Sequence, residues 1–91
     1  MASYRIEFAG SAEKDLRRCN PELATKIVRR IEALQDDPTP RQSQKLRGTE
    51  RTYRLRVGDY RVIYEVEPDM RVIAVYYIRH RREAYRQLQR G

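Results

Sequence analysis

The stretch that most constrains the fold is YRLRVGDYRVIYEV, residues 53–66. Two runs of alternating apolar and polar residues flank Gly58-Asp59, a pair that is typical of a two-residue β-hairpin turn. This pattern predicts a hairpin in which Leu55 lies opposite Val62 and Arg56 lies opposite Arg61. Like charges opposed across two strands destabilise a sheet by about 0.2–1 kcal/mol, so the arginine pair is expected to serve a purpose other than stability.

The first forty residues predict one strand and two helices. Alternation in YRIEF, residues 4–8, is typical of a strand with one buried face. Two apolar stripes at helical spacing follow, and Ser11 and Asn20-Pro21 are the expected starts of the two helices. The segment DDPTP, residues 36–40, ends the second helix, so the two helices are expected to form a hairpin.

The C-terminal part predicts a further strand and a short helix. Pro68-Asp69 is a turn signal, and the run from Val72 to Ile78 is almost wholly apolar, which indicates a strand near the middle of the sheet with both faces covered. REAYRQLQRG, residues 82–91, can form a short helix. The predicted class is α+β: one domain, residues 1–91, in β-α-α-β-β-β order, with a four-stranded antiparallel sheet, the helical hairpin on one face and a short C-terminal helix.

Charge is unevenly distributed along the chain. Charged residues make up 36% of the sequence and the formal net charge is +7. Residues 41–91 hold 13 basic and 6 acidic residues, whereas residues 1–40 hold 7 of each. A localised basic excess favours a polyanion or an acidic protein segment as partner, and the alternative is a surface that only promotes solubility.

Several function classes are excluded by composition. Cys19 is the only cysteine and His80 the only histidine, so neither an intrachain disulfide nor a Cys/His zinc site can form, and no metal or other cofactor is expected. Cys19 is expected to be a small core residue. No segment approaches the roughly 20 apolar residues of a membrane span, which predicts a protein of the reducing cytoplasm without membrane contact.

The predicted hairpin has an arginine-rich face. Leu55 and Val62 would face the helices, and Arg54, Arg56 and Arg61 would then point the opposite way. Guanidinium groups stay charged and bind phosphate in a bidentate manner, so these side chains are candidates for a phosphodiester clamp in which the anion relieves the repulsion between the arginines. The alternative is a solvated polar face with the arginines splayed apart.

Three motifs carry a family resemblance: KLRG (45–48), YRLRVGDYRVIY (53–64) and HRREAY (80–85), in this order and at suitable spacing. The chain resembles the RelE/ParE toxin superfamily over nearly its whole length, and more closely the RelE-type branch of ribosome-dependent mRNA interferases. The resemblance implies a RelE-like fold and a toxin of a type II toxin–antitoxin system. Such a toxin enters the ribosomal A site and cleaves the mRNA there. It does so without metal, by attack of a ribose 2′-OH on the adjacent phosphodiester.

The resemblance also implies a partner and roles for single residues. An antitoxin encoded beside the toxin is expected to wrap it with an acidic segment, giving a toxin–antitoxin hetero-oligomer. Arg61 matches the residue that holds the scissile phosphate, and Arg81 matches one proposed to protonate the leaving 5′-oxygen. Tyr85 matches the aromatic residue on which a base stacks, and Arg47 of KLRG matches a basic residue that helps neutralise the backbone. Lys45 of the same motif is a further candidate for substrate binding.

The general base is where the chain departs from the family pattern. Arg54 and Arg56 fall where well-known members have two lysines, of which the second is proposed as the base. An arginine, with a pKa above about 12, is a poor proton acceptor. His80 is one substitute as acid or base, and the alternative is a histidine exposed at a strand end. Two other functions remain open at this stage: a ParE-like inhibitor of DNA gyrase, and an inactive relative that only binds RNA.

Overall fold

The computed structural model describes residues 3–82 of the chain. The elements in order are β1 (Arg5–Phe8), α1 (Gly10–Arg18), α2 (Pro21–Glu32), a single 3-10 turn (Ala33–Gln35), β2 (Ser43–Lys45), β3 (Thr52–Val57), β4 (Tyr60–Glu67) and β5 (Val72–His80). The α+β class and the helical hairpin beside the sheet are therefore confirmed. The predicted C-terminal helix and Tyr85 lie outside the described residues.

The sheet differs from the prediction in strand number and direction. It has five strands in the order β1-β5-β4-β3-β2, not four. The pairs β2–β3, β3–β4 and β4–β5 are antiparallel, but β1 is parallel to β5, with Arg5 opposite Val72 and Phe8 opposite Val75. The sheet is therefore mixed. Its edge strand β1 pairs with β5, which follows both helices and the other strands along the chain.

The two helices begin differently from one another. Asn20 caps α2 as expected, since its Oδ1 accepts a hydrogen bond of 2.9 Å from the Leu23 N–H, and Pro21 occupies the first turn. The prediction of Ser11 as the N-cap of α1 was wrong: the N-cap is Ala9, two residues earlier, and its methyl side chain cannot accept a hydrogen bond. Ser11 instead donates a hydrogen bond of 2.6 Å from its Oγ to the Tyr76 carbonyl.

The core lies between the helices and one face of the sheet. Cys19 is half-buried and packs against it. The fully or nearly fully buried apolar residues are Ala12, Ile27, Ile31, Leu34, Leu55, Val57, Val62, Tyr64, Val66, Ile73, Val75 and Ile78. The strand members of this set alternate on β3 and β4 with residues that are polar apart from Ile63. The opposite face of these two strands therefore carries Arg54, Arg56 and Arg61.

β5 contains an irregularity that explains its long apolar run. Ile63 pairs with Tyr77 but Tyr64 pairs with Val75, so Tyr76 is an extra residue without a direct partner on β4. The bulge resets the alternation, which buries Val75 and Ile78, and Tyr76 is left 37% exposed. β5 is an interior strand as predicted, but in the described part of the chain it is not covered on both faces.

Candidate anion-binding site

The hairpin of β3 and β4 has the predicted register. Leu55 pairs with Val62, and Arg56 pairs with Arg61, so the two arginines are direct cross-strand neighbours. Val62 is buried on the helical side, and Arg61 and Arg56 therefore lie on the other side. The like-charge pair that the sequence predicted is thus a real feature of the sheet.

The Gly58-Asp59 turn connects Arg61 to the end of β5. Gly58 has a φ of +59°, a conformation that glycine adopts without steric strain and that a type II′ turn requires at its first loop residue. The Arg61 Nη1 donates to the carbonyl oxygens of Gly58 and Tyr60, at 3.0 and 2.9 Å. The Arg81 backbone N–H donates to the Asp59 carbonyl at 2.7 Å. Arg61, through its side chain, and Arg81, through its backbone N–H, are therefore both hydrogen-bonded to the same turn.

Arg61 interacts by charge with three other arginines, and we call Arg54, Arg56, Arg61 and Arg81 the arginine cluster. Partial burial lowers the pKa of the Arg61 guanidinium, and the cations of Arg54, Arg56 and Arg81 lower this pKa further, whereas Asp59 acts in the opposite direction. An arginine stays protonated despite such a shift. The surplus positive potential around Arg61 would therefore be relieved by a bound anion.

A cavity of about 290 Å³ opens beside the arginine cluster. Its floor is formed by Arg54, Arg56 and Arg61, and its wall is formed by the segment 41–44 on the edge of the sheet. The Arg54 Nη2 donates to Gln44 Oε1 at 3.0 Å, and the Arg56 N–H donates to the Gln42 carbonyl at 3.1 Å. These contacts hold the edge segment against the arginines, so the cavity is rich in hydrogen-bond donors suited to phosphate oxygens.

Sequence reasoning missed the wall of this cavity. Arg41, Gln42 and Gln44 belong to a polar segment that was not expected to form a strand. β2 is three residues long and lies at the edge of the sheet, so it has no buried face to produce an apolar alternation. The available signal was the Arg41 charge next to the KLRG motif.

Three predicted site residues are not brought into the arginine cluster. Lys45 pairs with Tyr53, whose ring stacks on core residue Tyr64, so Lys45 belongs to the helical side of the sheet. Arg47 is exposed in the turn before β3, at the opposite end of that strand from Arg56, and Thr52 and Arg56 alone are about 13 Å apart at the usual rise per residue. Both therefore lie apart from the cavity.

His80 is the third residue outside the cluster. It pairs with Tyr60, and the two rings meet edge to face with centroids 5.6 Å apart. His80 also lines a separate cavity of about 90 Å³ with Asp15 and Cys19 at the end of α1. The histidine thus faces the helical side of the sheet, whereas the 290 Å³ cavity opens on the other side.

The fold and the candidate anion-binding site together define a class of protein. The protein is a small, basic α+β protein with helices on one face of a sheet and an arginine-lined cavity on the other, and residues 3–82 hold no group of three His, Cys, Asp or Glu side chains that could bind a metal ion. Within the same range, no helix combines the length and the apolar character needed to cross a membrane.

Comparison with known proteins identifies the family to which the chain belongs. Residues 6–85 match the family described as the ParE toxin of the type II toxin–antitoxin system parDE. The chain therefore belongs to this family, and it is a RelE-like toxin of a type II toxin–antitoxin system.

Individual relatives agree with this assignment. A protein of Methanocaldococcus jannaschii that carries the name toxin RelE1 is 33% identical over 86 residues, which cover 91% of this chain and 96% of the relative. The archaeal RelE–RelB complex from Pyrococcus horikoshii contains a chain with 31% identity and a TM-score of 0.78, covering 87% of this chain and 96% of that chain. The isolated E. coli RelE toxin, at 22% identity, shares the fold with a TM-score of 0.76 and covers 97% of each chain.

Proposed function

We propose that this toxin is a ribosome-dependent endoribonuclease that cleaves mRNA in the A site and thereby inhibits translation. The observation that carries the proposal is the opposition of Arg56 and Arg61 beside Arg81, because three guanidinium groups around one point suit the extra negative charge of a phosphodiester under attack. The protein names RelE1 and RelE among its relatives support the RelE-type branch.

The reaction needs positioning, charge stabilisation and two proton transfers. The ribose 2′-oxygen forms a bond to phosphorus as the bond from phosphorus to the 5′-oxygen breaks, giving a 2′,3′-cyclic phosphate. Arg61 would hold the non-bridging oxygens, Arg56 would neutralise the added charge, and Arg81 would donate a proton to the leaving 5′-oxygen. Tyr85 is expected to stack on a base, which is worth about 1–3 kcal/mol.

Among residues 3–82, the arginine cluster offers no side chain that readily accepts the proton of the 2′-OH, so this proton would pass to solvent water. Arg54 and Arg56 occupy the positions of the two lysines in better-known members, and both are poor bases. His80 lies on the helical side of the sheet. We propose that the hydroxyl is activated mainly by positioning and by the field of the arginine cluster, and that the ribosome supplies the bent mRNA geometry.

The experiment that tests the proposal is toeprinting on translating ribosomes with the purified toxin. Cleavage confined to the A-site codon, absent with Arg61→Ala and retained with Arg5→Ala, supports it. Arg5 is a suitable control because it is an exposed sheet arginine on β1, where it pairs with Glu7 at 2.9 Å. Intact A-site mRNA with the wild-type toxin would contradict the proposal.

A second candidate function follows from the matched family itself, which is described by the name ParE. A ParE-like toxin would inhibit DNA gyrase through protein contact and would not need the arginine cluster. Supercoiling by purified gyrase in the presence of the toxin distinguishes the two functions. A relative that binds RNA without cleaving it would fail in both assays.

We also propose a cognate antitoxin as partner, since the RelE chain from Pyrococcus horikoshii is found in a complex with RelB. An apolar cavity of about 450 Å³ between α1 and α2 includes Leu16, Ala24 and Val28, and its polar rim holds Arg17, Arg29, Thr25 and Glu32. An amphipathic segment fits the apolar floor, and acidic residues of that segment can pair with the two arginines of the rim. A second acidic part of the antitoxin, placed near Arg61, would block the RNA site.

A further inference from the structure

Beyond Val75, strand β5 loses its neighbour β1 and is bordered by helix α1 instead. β1 ends at Phe8, opposite Val75. The Ala9 N–H then donates to the Val75 carbonyl at 2.9 Å, and the Ser11 Oγ donates to the Tyr76 carbonyl at 2.6 Å. Next along the edge, Asp15 Oδ2 accepts a hydrogen bond of 2.9 Å from the Ile78 N–H. Beyond the end of β1, side chains of α1 therefore form the hydrogen bonds to the β5 backbone that a paired strand would form.

Asp15 is a buried carboxylate with no role in the proposed cleavage. It is 6% exposed, and in residues 3–82 it is the one charged residue of the buried set. Its Oδ2 also accepts from Arg79 Nε at 3.0 Å, and the Arg79 guanidinium lies 5.0 Å from the centre of the Tyr77 ring. Burial of a carboxylate is costly unless it is paired and hydrogen-bonded, so the contacts from Ile78 and Arg79 are what make Asp15 tolerable there.

Arg79 is the third member of a row of arginines. It is the direct partner of Arg61 on the neighbouring strand, just as Arg61 is the partner of Arg56. Strand geometry alone would therefore add a third guanidinium to the row that crosses β3, β4 and β5. Instead, the Arg79 side chain turns to Asp15 and Tyr77 at the free edge of β5.

We propose that Asp15 is a positioning residue for the arginine cluster: it fixes the end of β5 that leads to Arg81 and holds the Arg79 guanidinium away from the anion site. Its effect on cleavage rests on the proposed function, whereas its effect on anion binding does not. Because Arg81 follows Arg79 by two residues and its N–H is bonded to Asp59, a displaced β5 end shifts Arg81 relative to Arg61.

The first test is independent of cleavage and uses inorganic phosphate as the probe. The side-chain N–H resonances of the arginines are followed by NMR while phosphate is added. In the wild-type toxin we expect the Arg61 and Arg56 signals to move and the Arg79 signal to stay. In Asp15→Asn, which keeps an acceptor for the Ile78 N–H but loses the charge, we expect the Arg79 signal to move as well. An Arg79 signal that moves with the others in the wild type, or stays still in the variant, overturns the proposal.

The second test separates binding from chemistry. In single-turnover cleavage of A-site mRNA, we expect Asp15→Asn to lower the maximal rate by about 10- to 100-fold, the range expected for misplacement of about 1 Å. The toxin concentration for half-maximal rate should be unchanged or lower, because the Arg79 guanidinium has lost its ion pair with Asp15 and can contribute positive charge to the anion site. Glu13→Gln, an exposed change on the same helix, is the matched control and should match the wild type.

A double variant distinguishes positioning from stability. Asp15→Asn with Arg79→Gln removes both charges, and we expect cleavage to return to within a few fold of the wild type, because the substituted side chain still offers an acceptor to the Ile78 N–H and no guanidinium remains at position 79 to draw the β5 end toward the anion site. Should the double variant be no better than Asp15→Asn, or should the lost rate follow the unfolded fraction, Asp15 is only structural. If the wild-type toxin leaves A-site mRNA intact, the proposed function fails, and the phosphate titration still decides the role of Asp15.

Discussion

Arg56 and Arg61 lie directly opposite each other on β3 and β4, and both point away from the helices. The arrangement costs stability in the free protein, since like charges opposed across strands repel. Arg61 offsets part of the cost by donating to the carbonyl oxygens of Gly58 and Tyr60 at its own turn. A bound phosphate would remove the remaining repulsion, which makes the pair a sensitive place to test function apart from folding.

Arg61→Ala is expected to abolish mRNA cleavage and growth arrest and to leave the fold intact. Loss of two hydrogen bonds and relief of one like-charge contact nearly cancel, so the free energy of unfolding should change by no more than about 1 kcal/mol. Toeprinting and urea denaturation measure the two effects, with Arg5→Ala as control. An unfolded variant, or an active one, would count against the phosphate-binding role of Arg61.

Arg56→Gln is expected to weaken RNA binding in a salt-dependent manner. Each phosphate contact to a single strand contributes about 0.7 to the slope of log affinity against log salt concentration. The variant should therefore show a slope smaller by about that amount, measured with a short single-stranded oligoribonucleotide between low and moderate salt. Arg5→Gln should leave the slope unchanged, and an unchanged slope in Arg56→Gln would remove Arg56 from the binding surface.

His80→Gln is expected to retain cleavage within a few fold, because His80 contacts Tyr60 on the helical side of the sheet. Single-turnover rates between about pH 5.5 and 8.5 check this. A histidine acting as base gives a rate that rises as an ordinary imidazole loses its proton, around pH 6.5. A loss beyond about 10²-fold with a flattened pH profile would identify His80 as the base after all.

Tyr64→Phe is expected to lower the free energy of unfolding by about 1 kcal/mol, since the Tyr64 hydroxyl donates to the Pro38 carbonyl at 2.6 Å. Burial also raises the pKa of Tyr64 to about 12 from an ordinary value of 10.0. Folding thus favours the protonated phenol, and this contribution to stability is present below pH 10 and is lost as the pH rises toward 12.

Urea denaturation at neutral pH and between pH 10 and 12 measures both effects of this substitution. Tyr64→Phe should lose less stability than the wild type across the alkaline range. Tyr76→Phe is the comparison variant: partial burial and Glu65 also raise the pKa of Tyr76, but less than burial raises that of Tyr64, so Tyr76→Phe should reduce the alkaline loss to a smaller extent. If the free energy of unfolding falls equally in the wild type and in Tyr64→Phe between pH 10 and 12, ionisation of Tyr64 is not the cause of the alkaline loss.

Val28→Glu is expected to weaken antitoxin binding without affecting cleavage. Val28 lines the cavity between the helices, on the opposite side of the sheet from the arginine cluster. An acidic side chain there repels an acidic segment and fills an apolar site with charge. Affinity measured by titration calorimetry should fall at least tenfold while toeprinting stays unchanged, and equal affinity would place the antitoxin elsewhere.

Much of the fold could be predicted because local rules agree with it. The register of β3 and β4 follows from Gly58-Asp59 and the alternation around it, and α2 begins where Asn20-Pro21 indicates. β2 could not be predicted, because a short edge strand needs no apolar residues. The parallel direction of β1 depends on its pairing with β5, which lies far along the chain. Alternation of apolar and polar residues does not distinguish parallel from antiparallel pairing.

The candidate site was predictable where it follows strand alternation and not where it depends on tertiary contacts. Arg54, Arg56 and Arg61 share a face because they alternate with buried residues. Arg41 and Gln44 complete the cavity only because β2 pairs with β3. The departure of Arg79 from the same row depends on Asp15 of α1, a contact that strand periodicity cannot reveal.

The pairing of β1 with β5 bears on when the toxin becomes active during its synthesis. β1 leaves the ribosome before both helices, but its partner β5 is translated after all the other strands of the described chain. Pairings so distant in sequence are slow to form and typically fold in milliseconds to seconds. Until β5 docks, α1 has no strand edge to bind and Arg81 is not beside Arg61. A nascent chain interrupted before β5 therefore lacks the assembled arginine cluster, and under the proposed function it would be unable to cleave mRNA.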